Sequence, residues 1–526
     1  MMKKIILFVF IIAALKAQTG NDQKIELPDF VITGVQNISF PAKDKLKPEL
    51  TYTVSDVELQ NSSGSLLPSK VEVSAPPEIL PDLTRPDIYL NGIFKLGAGI
   101  YTLPEGSFQL MANSGNFIIG GKIEGKNITN YVSDAGGNRS GLDFYSEYTL
   151  DENGGFLPGL KFRLQGELAR EEYNFFASDS AGYKRQKNNG DFEFGISNYL
   201  NEAINYELKY RKYLTGINEI DLNENQDDIS FKASGGISEF MVKGEALFSG
   251  IQYDNDTLNI RKIYNKFYAG LSSDLIPGLT IEGGFNYFKD NSTDRIKLKI
   301  LAEYYLGRGL SIYGKYDPEA YYSSIRNFVE TNRYYSPAMP SPVLINEENS
   351  FRASVKYQFA TYIEFNAGAG YKDFSALPYF ENGKGFFNVK LIDDVSESYL
   401  FFNSLFHYGP YGQFYAGVEF KKTAQPDGNY VPYTPVIKMD FSYSYDFSEK
   451  ITAGADFRYD KYSYADIKNT LSLPAISNAA LHMIYHMSGD VDVNARIENL
   501  FNRSNYLWGV YQQKPVDIIA GVEYHW

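Results

Sequence analysis

The chain has 526 residues, no cysteine and a formal net charge of −14, from 50 Lys and Arg against 64 Asp and Glu. The acidic balance disfavours a nucleic-acid partner, which requires a basic surface, and the lack of cysteine excludes disulfides and thiolate metal sites. The 43 Tyr and 37 Phe are typical of a protein whose side chains meet both lipid and water.

Residues 1–17 are predicted to be a cleaved signal peptide. Lys3 and Lys4 precede an uninterrupted apolar run from Ile5 to Leu15, and Ala17 is a suitable last residue before cleavage. A run of this length is too short to cross a bilayer as a helix, and no other run approaches the ~20 residues that a membrane helix needs. The chain is therefore expected to be exported, and any insertion into a membrane must use strands.

Residues 18–87 form a leader that holds 8 of the 22 prolines. Because proline removes a backbone donor and disfavours helix, we predict an extended periplasmic tether. One stretch places an acidic residue before alternating apolar side chains, a pattern that can add as a strand to a partner's sheet. It consists of Glu26, Leu27, Pro28, Asp29, Phe30, Val31, Ile32 and Thr33. This stretch resembles the TonB box of TonB-dependent receptors, which implies contact with TonB or another periplasmic protein; a leader without a binding role is the alternative.

From Ile88 onward, apolar and polar residues alternate in successive runs such as Phe351–Phe359 and Ile363–Tyr371. Since successive strand side chains point to opposite faces, each run gives one apolar and one polar face. The runs are about ten residues long, the length of a tilted strand that crosses a membrane. Aromatic residues gather at their ends, and short turns such as Phe447–Lys450 alternate with long polar loops such as Lys461–Ser477. These features favour a membrane barrel over a soluble sandwich or propeller.

The predicted fold class is therefore all-β, a transmembrane antiparallel β-barrel over residues 88–526, with a short Pro-rich N-terminal periplasmic segment and no full plug domain. The runs allow roughly 18 to 23 strands, and because bacterial barrels have an even number we predict about 22, within a range of 18–22. The stretch Ile363–Lys422 does not sort under strict alternation. Under this alternation, the long connection Asp373–Gly385 and the short connection Tyr408–Tyr411 cannot both lie on the side of the barrel expected for their length. A bulge, a long turn and a miscounted strand are the possible explanations.

The last run is the sharpest signal in the sequence. Val516, Ile518, Ala520, Val522, Tyr524 and Trp526 occupy alternate positions, with Asp517, Glu523 and His525 on the other face. This is typical of the closing strand of an outer-membrane barrel. The terminal aromatic residues Tyr524 and Trp526 resemble the signal that the barrel-assembly machinery reads.

The C-terminal third resembles the TonB-dependent-receptor superfamily. Glu498-Asn499-Leu500-Phe501-Asn502, followed by Tyr506, is similar to the Asn-Leu-Phe…Tyr stretch before the final strand of such receptors. Upstream, Tyr316-Asp317-Pro318 and Asn332–Pro342 resemble segments of a plug-less subgroup. A receptor plug is an α/β domain considerably longer than residues 18–87. The chain therefore departs from the family in the plug, on whose movement the family's energised uptake depends.

No motif for catalysis, for a resident metal or for a cofactor stands out. His482 and His486 share a strand face but lie roughly 13 Å apart, too far for one metal ion, and no nucleophile motif accompanies His407 or His525. We therefore expect a non-enzyme with no cofactor and no metal. The basic run Lys184–Lys187 and the acidic run Asp221–Asp228 are predicted to be solvated surface loops, the basic one a candidate lipopolysaccharide contact.

These observations indicate a protein of the Gram-negative cell outer membrane, in contact with its lipid and lipopolysaccharide. The family resemblance implies a transport component for an unidentified solute. A passive channel (a porin) and a structural barrel that scaffolds a partner protein are the alternatives. A barrel of about 22 strands without a plug would leave a wide hole, so the leader, inward-folded loops or another polypeptide must fill it.

Overall fold

The computed structural model describes residues 89–526 except 151–158, 181, 199–203, 256–258, 337–341, 360–362 and 407–411. The predicted signal peptide, the leader, its TonB-box-like stretch Glu26–Thr33 and His407 lie outside the described residues.

The described residues form strands almost throughout. The strands are β1 (Tyr89–Gly99), β2 (Thr102–Ser114), β3 (Phe117–Ile128), β4 (Gly137–Thr149), β5 (Leu160–Asn174), β6 (Lys184–Asn198), β7 (Ile204–Ile217), β8 (Leu222–Ile237), β9 (Phe240–Asp254), β10 (Asn259–Ile276), β11 (Leu279–Asp290), β12 (Asp294–Gly307), β13 (Leu310–Tyr316), β14 (Ala320–Ser323), β15 (Val343–Phe359), β16 (Ile363–Gly383), β17 (Phe386–Phe406), β18 (Gln413–Ala424), β19 (Pro435–Ser448), β20 (Ile451–Tyr462), β21 (Ile476–His486), β22 (Val491–Glu498), β23 (Tyr506–Leu507), β24 (Tyr511–Gln512) and β25 (Asp517–His525). A 3-10 helix (Asn218–Ile220) and one α-helix, α1 (Ile325–Thr331), complete the described elements. No helix in the described part of the chain is long and apolar enough to cross a membrane.

Twenty-two of the strands close into one antiparallel barrel. The short strand β14 pairs with the first residues of β15, and β23 and β24 form a separate two-stranded sheet. Each barrel strand pairs with its sequence neighbour, and β1 closes the cylinder against β25 with Ile93 opposite His525 and Gly99 opposite Ile519. The prediction of about 22 strands and of a closing C-terminal strand is confirmed. Within the described residues, no separate domain occupies the lumen.

The two-residue alternation sorts side chains between lipid and lumen. At the closing seam Phe94 and Val522 face outward and are 42% and 48% exposed. On the inner face Lys95 pairs with Glu523 at 2.7 Å. An outward apolar surface of this kind would be unfavourable in water and is stable against hydrocarbon. The fold is therefore that of a transmembrane barrel.

The barrel has two unlike ends. At one end, the turn end, tight connections join the strands; the turn between β12 and β13 consists of Arg308 and Gly309, both at positive φ (53° and 80°), as a two-residue hairpin turn requires. Tyr89 and Trp526 also lie at this end, because the strand number is even. The opposite end, the loop end, carries the longer connections.

The unsorted stretch between Ile363 and Lys422 contains no miscounted strand. β16 and β17 are each 21 residues long and pair from Ile363↔Phe406 to Gly383↔Phe386. The segment Asp373–Gly385 therefore belongs mostly to a hairpin that extends beyond the neighbouring strands at the loop end. β17 and β18 meet at the turn end, where Phe406 lies opposite Phe414; the predicted connection Tyr408–Tyr411 is outside the described residues.

Two predicted surface loops are strands instead. Lys184–Lys187 begins β6, and Arg185 is fully buried. Most of Asp221–Asp228 begins β8, with Leu222 and Glu224 buried. Both runs lie at the loop end, where the strands extend beyond the lipid and apolar residues no longer alternate with polar ones. Arg185, Lys187, Leu222 and Glu224 face a protein interior, whereas Lys184 and Asn223 stay exposed.

Candidate functional site

The lumen wall carries opposite charges on adjacent strands. Glu147 on β4 accepts from Lys161 at 2.8 Å and from Arg163 at 3.1 Å, both on β5. Glu282 on β11 pairs with Lys299 at 3.3 Å and also with Lys243. Since these two carboxylates each contact two cations, the wall around them is polar without a strong field of one sign. Such a wall suits a wet lumen.

The chain's own connections pack together at the loop end. Fifteen buried hydrophobic residues, ten of them aromatic, form one cluster there, and we call this cluster the cap. Its members are Tyr173, Phe175, Ile217, Leu222, Tyr253, Ile325, Phe328, Val329, Tyr334, Tyr335, Phe380, Phe387, Tyr433, Leu473 and Tyr511. They come from strand ends, from α1, from the long β16–β17 hairpin and from the connections that precede β15, β19, β21 and β25. Inward-folded loops are thus one of the fillers that the sequence allowed.

Helix α1 is fixed in the cap at its N-terminus. The Ser324 side chain accepts from the Asn327 backbone, and Asn327 accepts from the Ser324 backbone, which completes a capping box. Glu224 on β8 accepts from the backbone amides of Ile325 at 2.8 Å and Arg326 at 3.0 Å. A carboxylate at this position satisfies amides that have no partner within the helix and complements the helix dipole. The helix is therefore tied to the barrel wall.

Two arginines hold the cap through aromatic faces and backbone carbonyls. Arg185 lies 4.8 Å from the Phe175 ring centroid, donates to Glu219 at 2.6 Å and donates to the Tyr335 carbonyl. Arg333 lies 3.8 Å from the Tyr173 ring centroid. Planar guanidinium groups suit such positions because they stack on rings while still donating hydrogen bonds.

A stacked pair of tyrosines joins two connections at the centre of the cap. The rings of Tyr334 and Tyr511 lie 3.3 Å apart with only 3° between their planes. The Tyr511 hydroxyl donates to the Gly385 carbonyl at 2.6 Å, which ties the tip of the β16–β17 hairpin to the same pair. A backbone bridge between Tyr335 and Phe387 adds a second tie to that hairpin. These contacts join three connections at the centre of the cap.

Burial in the cap disfavours the charged form of its tyrosines. Desolvation raises the pKa of Tyr433 to about 12, although a hydrogen bond with Asn382 works in the opposite direction. Desolvation also raises the pKa of Tyr334, Tyr335 and Tyr511 well above the usual value for a phenol. These hydroxyl groups therefore stay protonated at neutral pH and act as donors, not as bases.

A cavity of about 420 Å³ lies between the inner side of the cap and the barrel wall. Its wall side is formed by polar and charged residues of β4, β5 and β6 and by the loop-end parts of β19 and β20. Its cap side includes Val329, Tyr433, Leu473 and Trp508. A space of this size is in the range of small-molecule sites. The structure thus offers a partly open space in the lumen whose lining is both charged and aromatic.

Three of the four histidines, His482, His486 and His525, are among the described residues. His482 and His486 point to the same face of β21, and their Nδ1 atoms lie 3.2 Å from Asp456 and 2.8 Å from Asp492. The Nε2 atom of His525 lies 3.3 Å from Asp492. In the described part of the chain, no group of three or more His, Cys, Asp or Glu residues is arranged to hold a metal ion.

The C-terminal aromatic residues lie on the outer surface, as predicted. Tyr524 and Trp526 are 45% and 37% exposed, and their ring centroids are 5.5 Å apart. The Trp526 ring lies against Gly92, where an added Cβ would overlap it. Their role as a signal for barrel assembly stays a prediction.

Sequence reasoning missed the cap residues. Asn332–Pro342 was recognisable only by its resemblance to other barrels, and nothing in its pattern shows that Tyr334 stacks on Tyr511. The buried Arg185 stood in a run of three cations that reads as a solvated loop. The density of aromatic residues outside the alternating runs is the one signal that points toward packed loops.

Comparison with known proteins supports the fold and goes no further. No protein-family profile and no curated protein matches the chain. Among solved structures, the ferric enterobactin receptor PfeA of Pseudomonas aeruginosa matches with a TM-score of 0.63 at 7% identity, over 84% of this chain and 81% of that chain. The FrpB iron transporter of Neisseria meningitidis matches with a TM-score of 0.66 at 10% identity, over 84% of this chain and 82% of that chain. The siderophore receptor PirA of Acinetobacter baumannii matches with a TM-score of 0.62 at 8% identity, over 84% and 81%.

These similarities establish that the chain has the barrel fold of TonB-dependent receptors. At such low identity they carry the fold alone and assign no ligand to this chain.

Proposed function

We propose that the protein is a transport component of the Gram-negative outer membrane, similar in action to TonB-dependent receptors, for a solute that is not yet identified. The observation that carries the proposal is the cap. It closes a wide barrel with the chain's own connections, so passage of a solute requires that closed loops be opened. The similarity of the barrel to outer-membrane receptors supports this assignment.

The proposed orientation follows from the two ends of the barrel. Short turns face the periplasm and longer connections face the exterior in outer-membrane barrels. With this orientation the cap lies on the outer surface, in contact with lipopolysaccharide, and β1 begins at the periplasmic side. Residues 18–87, which follow the signal peptide 1–17, then reach the periplasm directly, where Glu26–Thr33 meets TonB or a related protein.

The same features weigh against the alternatives. A passive channel needs an open lumen, whereas the cap closes this one at the loop end. A scaffold has no need of a charged cavity beneath its closure. An enzyme needs a nucleophile or general base next to an orienting partner. Thr452, His486 and Asp492 are aligned in this way, with 3.5 Å between Thr452 Oγ1 and His486 Nε2 and 2.8 Å between His486 Nδ1 and Asp492, but they lie at the turn end, away from the cavity.

Disulfide trapping in cells tests the proposed contact with TonB, since the chain has no cysteine of its own. Phe30→Cys should form a disulfide with a cysteine placed in the strand-forming region of TonB. Tyr52→Cys, in the leader but outside the TonB-box-like stretch, is the matched control.

We expect the product only with Phe30→Cys. Deletion of residues 22–40 should abolish solute uptake while heat-dependent migration on gels shows a folded barrel. Equal trapping at both positions, or unchanged uptake after the deletion, would refute the proposal.

A further inference from the structure

The barrel wall has a gap between β12 and β15 near the loop end. Closer to the turn end, β13 pairs with both of these strands, but its pairing with β12 stops at Ile300↔Tyr316. Beyond that point the short strand β14 pairs with β15 alone. On this side, residues 294–299 of β12 therefore have no strand partner among the described residues, and contact across the gap depends on side chains.

Lys297 on β12 reaches across the gap to β15. Its Nζ donates to the side-chain Oδ1 of Asn346 at 2.6 Å and to the backbone carbonyl of Glu347. Both ends of the contact are buried, with Lys297 9% and Asn346 4% exposed. Among the described residues, no carboxylate forms an ion pair with Lys297. Lys299, two residues further along the same face, differs in this respect because it pairs with Glu282 at 3.3 Å.

The surroundings of this contact favour an uncharged amine. Asn346 lies opposite Ala320 on β14, and Ala320 belongs to a buried cluster with Tyr264 and Phe288. A lysine that is buried beside apolar groups without a carboxylate partner is disfavoured in its charged form. The uncharged amine is a nucleophile, and the Asn346 Cγ is bonded to the oxygen that Lys297 contacts. The amine therefore lies next to an electrophilic carbon.

Glu348 provides a proton carrier on the other side of the same amide. Its Oε1 accepts from the Asn346 Nδ2. The Ser375 Oγ accepts from this nitrogen as well, at 3.2 Å, so the amide plane is held from both ends. A carboxylate in contact with the leaving nitrogen can take a proton from an attacking amine and pass it on. Nucleophile, electrophile and proton carrier thus lie within one set of contacts.

We propose that Lys297 and Asn346 form an isopeptide bond, an amide between two side chains, which joins β12 covalently to β15. The Lys297 Nζ attacks the Asn346 Cγ, a C–N bond forms and the Cγ–Nδ2 bond breaks. Nδ2 leaves as ammonia with the proton that Glu348 carries from Nζ. The reaction needs no oxidant, cofactor or second protein. It gives a chain without cysteine a covalent link across the gap in its wall, and it does not depend on the proposed function.

Peptide mapping by mass spectrometry tests the proposal. The sample is the purified full-length barrel, shown to be folded by its heat-dependent migration on gels. Trypsin cuts a linear chain after Lys297, whereas an isopeptide bond at this side chain blocks the cut. We expect residues 296–299 to be joined to residues 334–352 in one branched peptide. Its mass should be the sum of the two linear peptides reduced by one ammonia, about 17 Da.

Three variants assign the chemistry. Lys297→Arg keeps a cation but lacks the amine, and Glu348→Gln lacks the proton carrier, so both should give linear peptides. Lys299→Arg is the matched control on the same strand face and should keep the branched peptide. Only linear peptides from the wild type, or an unchanged branched peptide in Glu348→Gln, would overturn the proposal. Loss of ammonia within one linear peptide also contradicts it, since this indicates a cyclic imide of asparagine. The wild-type digest decides the matter even if a variant does not fold.

Discussion

Removal of the Tyr511 ring should open the barrel. The ring is fully buried and stacks on Tyr334, and its hydroxyl donates to the Gly385 carbonyl at 2.6 Å. Truncation of a buried aromatic residue to alanine costs about 3–5 kcal/mol. Since 1.4 kcal/mol corresponds to a factor of ten, Tyr511→Ala should raise the fraction of molecules with an open cap by roughly 150- to 4,000-fold. Tyr511→Phe loses only the hydrogen bond, about 1–3 kcal/mol. Its fraction of molecules with an open cap should therefore lie between that of the wild type and that of Tyr511→Ala.

Planar-bilayer recording measures this change directly. The wild-type barrel should conduct rarely, and Tyr511→Ala should show frequent large openings. Tyr304→Ala is the matched control, because Tyr304 faces outward on β12 and is 41% exposed. If Tyr511→Ala conducts no more than Tyr304→Ala while both migrate as folded barrels, the cap does not close the lumen and the reasoning fails.

Three further predictions follow from the same contacts. Glu224→Gln removes the charge that caps α1 and should weaken the helix by about 1 kcal/mol, seen as faster amide hydrogen exchange in α1; unchanged exchange would contradict the role of Glu224. Burial raises the pKa of Tyr433 to about 12, so the closed cap keeps a proton that an opened cap loses above about pH 10. Cap stability should therefore be complete below about pH 10 and decrease as the pH rises toward 12; bilayer conductance should rise over this interval, less so in Tyr433→Phe, and a flat profile would refute the assignment. Gly370→Ala should reduce the yield of folded barrel, because an added Cβ overlaps the Tyr399 ring, whereas Gly283→Ala meets no atom within 4 Å and should fold normally; equal yields would contradict the steric argument.

The sequence predicted the barrel wherever lipid imposes a pattern. Phe351–Phe359 and Ile363–Tyr371 alternate because one face meets hydrocarbon and the other the lumen, and both lie in the strands β15 and β16. The same physics located the closing strand and its outward Tyr524. A two-residue period is a local property, so it can be recognised without knowledge of the partner strand.

The sequence failed where no lipid constrains the chain. Arg185 and Glu224 lie in strands at the loop end, and their surroundings are supplied by the distant residues Tyr335 and Ile325. No periodicity marks a strand whose two faces both meet protein. The stacking of Tyr334 on Tyr511 likewise depends on how separate connections fold over the lumen. Contacts of this kind arise from tertiary packing and leave no local pattern in the sequence.

The structure of the cap also constrains how a solute could pass. Truncation of one residue, Tyr511, should destabilise the closed state by about 3–5 kcal/mol, and the cap has fifteen buried hydrophobic residues. Release of all of them at once would be rare. The conformational entropy regained, about 1–2 kcal/mol per residue that becomes disordered, offsets this cost only in part. Opening through one or two connections exposes less apolar surface and is the lower-energy route. The connection that carries Tyr511 is suited to this movement, because it ends at β25, beside the first strand of the barrel.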